Sequence, residues 1–446
     1  MKEQFKKKFA LSNVEIIVLM FLLIIFIGSL LLWAPFSHQP GQELKYIDAL
    51  FVATSAVCVT GLTPINISEV LNPIGHVIMM FLIELGGLGF MSVALLLALL
   101  FKKRVSVQSR LLIKDTLNLD KLGGSVKVLK FVVKLSVTIQ LIGAVLLSFK
   151  FVPMYGIQKG IFYSLFHAIS AFCNAGFDLF GDSLMSFQSD GYILVVISLL
   201  ILSGGFGFIV WYDLLHYKNE KRLSLHTKIA LTVSACLVTF GFVVFFITDV
   251  SRETGLLNQF ANSFFLSTTP RTAGFASLDY GTMSYAGILL TIVLMFIGGT
   301  SGSTAGGVKT TTLGVLMIQL FSLLRGREDA EGFGRKIPFK IVVKAFLFVF
   351  FAALICFLSA LVLAMTETIP LQSGIEYVLF EVVSAFATVG LTMGLTPNLT
   401  VFGKILIMLL MFIGRVGLYT VIFAVLGRSN QKQTHYSYPN ENVLVG

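Results

Sequence analysis

Ser55-Ala-Val-Cys-Val-Thr-Gly61-Leu62 decides the fold, because the chain carries four versions of it. The others are Ser170-Ala-Phe-Cys-Asn-Ala-Gly176-Phe177, Thr268-Thr-Pro-Arg-Thr-Ala-Gly274-Phe275 and Ser384-Ala-Phe-Ala-Thr-Val-Gly390-Leu391. Each places a hydroxyl residue six positions before a glycine and a large apolar residue just after it. A second glycine set follows downstream: Leu85-Gly86-Gly87-Leu88-Gly89, Ser203-Gly204-Gly205-Phe206-Gly207, Ile297-Gly298-Gly299-Thr300-Ser301-Gly302 and Ile413-Gly414-Arg415-Val416-Gly417. The two sets are separated by 25, 28, 24 and 24 residues in the four copies. Self-similarity of this kind marks an array of equivalent units.

The surroundings of these segments are apolar. Of 446 residues, 56% are hydrophobic and only 13% charged, with a mean hydropathy of +0.88, which is too little polar surface for a soluble protein of this size. Runs at 14–32, 192–202, 229–247 and 341–365 are each about long enough, or nearly so, to cross a ~30 Å hydrocarbon core. The first follows Lys2, Lys6, Lys7 and Lys8 but is too long for a signal peptide. No small-residue cleavage site precedes Trp33 and Pro35, so a retained first helix is expected. The net charge of +10 is spread over alternating loops: 2–8, 102–130, 218–228, 325–340 and the tail with Arg428 and Lys432. Lys/Arg excess marks cytoplasmic loops, so both termini are expected inside, and a nucleic-acid partner is excluded. Cys58, Cys173, Cys236 and Cys356 form no CxxC and have no histidine cluster beside them. They read as small buried apolar residues, best so for Cys236 and Cys356.

Each unit therefore reads as spanning helix, short half-helix, glycine segment and returning helix. The half-helices fall near 46–57, 160–172, 256–268 and 375–386. The spanning helices fall near 14–32, 74–100, 126–147, 192–215, 229–247, 286–320, 341–365 and 402–426. The prediction is an all-α polytopic membrane protein of four parallel repeats at 1–105, 106–220, 221–330 and 331–428, with a tail at 429–446. Irregular backbone at membrane depth is tolerated only where protein buries it or water lines it. Four such segments imply one central lumen.

Rings of backbone carbonyls can replace a cation's hydration shell. The expected ring comprises Val59, Thr60 and Gly61; Asn174, Ala175 and Gly176; Thr272, Ala273 and Gly274; and Thr388, Val389 and Gly390. Carbonyls at Gly61, Gly176, Gly274 and Gly390 would hold the ion, with Thr60, Thr272, Thr388 and Asn174 adding side-chain oxygens. The half-helices would aim their partially negative C-termini at the centre. No ring of acidic side chains accompanies them. One glycine per repeat, where potassium channels usually have two, predicts looser discrimination.

This pattern resembles the Trk/Ktr/HKT superfamily of potassium transporters, above all the bacterial Ktr-type membrane subunits, over essentially the whole chain. The resemblance implies potassium uptake, often with sodium dependence, through one pore per protomer of a homodimer. It also implies a cytosolic ring of RCK-type regulatory subunits that bind ATP or ADP. In this family a serine at the first filter glycine goes with sodium permeability, and Gly61 favours potassium.

The segment Gly298-Gly-Thr-Ser-Gly-Ser-Thr-Ala-Gly-Gly307, followed by Lys309, lies inside a would-be spanning helix. Its five glycines, with Thr300, Ser301, Ser303, Thr304 and Ala305 between them, disfavour helix and predict a break. By resemblance it is an intramembrane gating loop spanning Gly298, Gly299, Gly302, Gly306 and Gly307, and Arg415 contacts it. An intramembrane charge is a functional candidate by default. Glu84 is expected to pair with Lys309 or Arg415, or to face water. Arg271 is expected to brace its half-helix end against Glu381, and Lys309 to brace the loop or snorkel to the inner interface. In the tail, Tyr436, Tyr438 and Pro439 are expected to dock on a second protomer.

The basic loops suit an acidic soluble partner or anionic membrane lipid. No GxGxxG follows a strand, so nucleotide control would come from the partner. Absence of HExxH, GxSxG and paired intramembrane aspartates argues against an enzyme. The remaining rival is a sodium- or potassium-coupled secondary transporter, a class rich in broken helices.

Overall fold

The computed structural model describes residues 13–89, 125–250, 255–370 and 374–417. In the first quarter of the chain, α1 (Asn13–Trp33) is followed by α2 (Tyr46–Cys58) and α3 (Pro73–Gly87), with one helical turn, Ile67–Val70, between the last two. The second quarter holds α4 (Ser125–Tyr155), α5 (Ile157–Cys173), α6 (Gly191–Gly205) and α7 (Phe208–Glu220). The third holds α8 (Leu225–Thr248), α9 (Leu256–Thr268), α10 (Tyr285–Phe296) and α11 (Thr310–Leu324). The last holds α12 (Phe339–Thr366), α13 (Ile375–Phe386) and α14 (Val401–Val416). Among the described residues four helices are long and apolar enough to cross a membrane: Glu15–Trp33, Val126–Tyr155, Leu225–Thr248 and Phe339–Thr366. Their outer faces leave large apolar side chains such as Phe26, Leu141, Phe240 and Phe350 exposed, as a multi-pass membrane protein requires.

The sequence places a starting signal before each of α3, α6, α10 and α14. The side chains of Asn72, Asp190, Ser284 and Thr400 accept main-chain N–H groups in the first turn of these helices. Each long helix packs on the half-helix after it: α1 on α2, α4 on α5, α8 on α9 and α12 on α13. The shorter returning helix then packs on the half-helix of the following quarter: α3 on α5, α6 on α9, α10 on α13 and α14 on α2. The last contact joins the end of the chain to its beginning and closes the bundle. A nearly buried ion pair, Lys404 Nζ to Asp48 Oδ1 at 2.6 Å, lies across that closure.

Four expectations change. The helix near 192–215 is not continuous; it bends by 92° between α6 and α7. Gly207 sits at the bend with φ +86°, a conformation that side chains disfavour. The helices near 74–100 and 402–426 likewise stop by Gly89 and Gly417, and their later residues lie outside the described residues. The chain is not wholly α-helical: Ala330–Gly332 and Arg335–Ile337 pair antiparallel as β1 and β2. Phe333 and Gly334, at φ +54° and +72°, form the two-residue turn between them, and three-residue strands carry too little alternation to be read in advance. Finally, Cys236 is exposed, while Cys356 is buried as expected. The expected basic stretch 2–8, most of 102–130 and the tail residues Arg428, Lys432, Tyr436, Tyr438 and Pro439 lie outside the described residues.

Candidate functional site

The half-helices end at Cys58, Cys173, Thr268 and Phe386, each short of its glycine. Two residues before each glycine the backbone turns left-handed, at Val59 (φ +57°), Asn174 (+60°), Thr272 (+70°) and Thr388 (+52°). The glycines themselves have φ +96°, +70°, +78° and +99°. Three of the four left-handed residues are β-branched, for which this conformation costs on the order of 1–3 kcal/mol. Hydroxyls on the half-helices help hold it. Gly61 and Gly390 donate their N–H to Ser55 Oγ and Ser384 Oγ at 3.0 and 3.1 Å. Ser170 Oγ donates to the Phe177 carbonyl at 2.8 Å. In the third segment the bonding hydroxyl is Thr269, on the Phe275 carbonyl at 2.5 Å, one residue later than the stacked Thr268.

The four glycines meet in a cycle. A Cβ on Gly61 would lie 2.6 Å from the Ala175 carbonyl oxygen, and one on Gly176 would lie 2.7 Å from that of Ala273. On Gly274 and Gly390 it would overlap the carbonyl oxygens of Val389 and Thr60 outright. The contacts run first to second, second to third, third to fourth and fourth to first. Asn174 and Thr272 are hydrogen-bonded through their side chains at 3.3 Å. The hydroxyls of Thr60 and Thr388 are buried and have no hydrogen-bond partner among the described residues.

The second glycine set supports the first. A Cβ on Gly86, Gly204 or Gly414 would collide with the carbonyls of Val57, Phe172 or Phe386, each in the last turn of a half-helix. Only glycine allows this approach. In the third quarter Gly298 faces the Gly306 carbonyl instead, because the chain folds back there. The expected break lies between α10 and α11. Gly298 N and Val308 N bond the carbonyls of Val308 and Phe296 at 2.9 and 3.1 Å.

The loop is fastened on several sides. Thr300 N and Thr304 N donate to the carbonyls of Gly205 and Gly204 at 3.0 and 3.3 Å, and Phe208 N donates to Gly302 at 2.9 Å. Lys309 Nζ donates to the Ala305 and Gly306 carbonyls at 2.6 and 3.3 Å, so it braces the loop. Arg415 donates to the carbonyls of Thr304 and Gly86, and to Gly87 at 3.1 Å. Gly306 lies against the Thr388 hydroxyl, which puts the loop directly beside the glycine ring. The loop also borders a cavity of about 640 Å³, lined among others by Phe21, Ser303, Lys309, Phe348 and Arg415.

Two expected pairings are not made. Glu84 bonds neither Lys309 nor Arg415; it accepts from Gln140 Nε2 at 2.9 Å and Cys173 Sγ at 3.3 Å. Arg271 does not reach Glu381. It is 4% exposed and donates to Ser234 Oγ at 3.0 Å. Glu381 accepts instead from the hydroxyls of Thr392 (2.7 Å) and Thr396. A lone charge names no partner by its spacing, so the sequence could not separate these outcomes.

Half-helices whose glycine segments meet in a ring, within a bundle with apolar outer faces, define a multi-pass membrane protein with a broken-helix loop against that ring. The chain belongs to the TrkH family of cation transport proteins, whose model matches residues 3–433. It is 50% identical to the "Potassium/sodium uptake protein NtpJ" of Enterococcus hirae, over 100% of this chain and 99% of that one. It is 40% identical to the "Ktr system potassium uptake protein B" of Bacillus subtilis, over 97% and 96%. Its fold matches the crystal structure of the potassium transporter TrkH from Vibrio parahaemolyticus, with a TM-score of 0.73 at 19% identity over 93% of this chain and 85% of that one.

Proposed function

We propose that the ring at Gly61, Gly176, Gly274 and Gly390 is the selectivity filter of a potassium uptake pore, built from four membrane–half-helix–membrane repeats. The reading rests on the cyclic contact of each glycine with the carbonyl preceding the next. Left-handed residues two apart turn successive carbonyls the same way, which suits a cage of oxygens for a dehydrated cation. The half-helix C-termini add negative potential there. Residues Gly298–Gly307, with Lys309 and Arg415, act as the gate, since they lie against the ring and bring two cationic side chains to the permeation route.

The wider assembly is part of the same proposal: a homodimer in the cell membrane, both termini cytoplasmic, regulated by a cytosolic ring of RCK-type subunits carrying ATP or ADP. Permeation is channel-like. The name of the 50% identical relative favours a second reading, in which sodium is co-transported. Ion flux into liposomes with K⁺ alone, or with K⁺ and Na⁺ together, as permeant cations tests both. Channel-like uptake predicts K⁺ flux without sodium. Flux that needs both ions together would establish coupling, and no K⁺ flux under either condition would defeat the proposal.

A further inference from the structure

The residue nine positions before each ring glycine differs in kind between segments: Val52, His167, Phe265 and Glu381. All four are fully buried, and two of them are polar. The contact order round the ring puts the second and fourth segments opposite each other, so the polar residues occupy one diagonal.

Both polar residues engage the segment just outside their own glycine, His167 at the main chain and Glu381 through two threonine hydroxyls. His167 Nε2 accepts the Leu179 N–H at 3.4 Å, three residues past Gly176. Its other nitrogen therefore carries the proton and donates to the Tyr163 carbonyl at 2.7 Å, which fixes a neutral tautomer. Phe180 stacks on the ring at 4.4 Å and locks its plane. Glu381 binds Thr392 and Thr396, two and six residues past Gly390, and makes no ion pair among the described residues. Both lie one helical turn before the serines that bond the ring backbone, Ser170 and Ser384, and so share their face. The other diagonal is held differently. After Gly61, Thr63 closes a local turn with Ile65 at 2.6 Å, and after Gly274, Ala276 N donates to Ser183 of the second segment at 2.9 Å.

We propose that His167 and Glu381 are a diagonal pair of positioning residues that hold the outer backbone of the second and fourth segments and thereby set the ion preference of the ring. This rests on the ring being the filter. A carbonyl cage discriminates by the stiffness and field of its oxygens, so freeing one strand admits ions of other sizes. Neither residue touches the ion.

The test is the K⁺/Na⁺ flux ratio in liposomes, normalised to assembled protein, for Glu381→Gln, Thr396→Val and His167→Gln, with Val52→Ala as control and Gly61→Ser alongside. Each of the first three variants loses a hydrogen bond and is expected to lower the ratio about fivefold. Glu381→Gln combined with Thr396→Val should be no worse than either alone, since both break one contact. Val52→Ala lowers the yield of assembled protein and leaves the ratio unchanged. If Thr396→Val and His167→Gln keep the parent ratio while Gly61→Ser lowers it, the pair has no positioning role and the filter reading stands. If Gly61→Ser also keeps the parent ratio, both ideas fall together. Thr396→Val keeps the buried carboxylate and guards against loss of fold in Glu381→Gln.

Discussion

Arg415 on α14 donates to the main-chain carbonyl of Thr304, tying the last quarter of the chain to the broken helix of the third. The same guanidinium holds Gly86 and Gly87 at the end of α3, so one side chain clamps three quarters. Glu84 is engaged elsewhere and does not pair with it.

Replacing Arg415 with Ala should raise K⁺ flux per assembled protein by about tenfold. That equals ~1.4 kcal/mol, near the lower end of what one charge-assisted hydrogen bond contributes. Shortening the loop around Gly302 should do the same, and the two changes should not add. Flux assays on purified variants decide it. Normal assembly with unchanged flux would remove the loop from gating.

The four ring glycines should not be equally sensitive. A Cβ would overlap the facing carbonyl outright at Gly274 and Gly390, whereas at Gly61 and Gly176 the overlap is smaller, with the oxygen 2.6 and 2.7 Å away. Alanine or serine at Gly274 or Gly390 should therefore abolish assembly. The same changes at Gly61 or Gly176 should leave assembled protein with a reduced K⁺/Na⁺ ratio. Size-exclusion yield followed by flux measures the order, and a reversed ranking would refute the ring geometry.

Gly207→Ala forces a side chain into φ +86° and places its Cβ 3.0 Å from the Ser301 carbonyl oxygen. The backbone strain costs on the order of 1–3 kcal/mol. The α6–α7 elbow should open and release the Phe208–Gly302 hydrogen bond. A lowered unfolding temperature together with faster K⁺ flux is expected. A stable variant with parent flux would show that the elbow does not hold the loop.

Asp48→Asn leaves the Lys404 ammonium nearly buried without its partner, since the two side chains are only 10% and 13% exposed. Loss of one member of such a pair costs about 3 kcal/mol. Thermal unfolding in detergent should show the loss, and adding Lys404→Gln should recover part of it. An unshifted transition in Asp48→Asn would mean that the closure between α2 and α14 rests on packing alone.

Local chemistry was legible in advance. The half-helix near 256–268 is α9 (Leu256–Thr268) and that near 375–386 is α13 (Ile375–Phe386), since apolar runs bounded by glycine and proline specify short helices. The break at 298–307 was legible because five glycines and the hydroxyls among them leave a helix little to gain. The elbow at Gly207 was not, although its glycine belonged to the second set. A glycine permits a bend, and only the loop carbonyls it meets require one.

The sequence by itself determined what each segment can be: long apolar helices, half-helices too short to span, and glycines where backbones must approach. The tertiary structure alone decided the partners. It set Arg415 on Thr304 and Gly86, Glu84 on Gln140 and Cys173, Arg271 on Ser234, and Glu381 on Thr392 and Thr396. The reason is physical. Helix length and backbone conformation follow from neighbours a few residues apart. A buried polar group takes the donor or acceptor that packing brings within about 3 Å, and that partner lies as far as 356 residues away, as Asp48 does from Lys404.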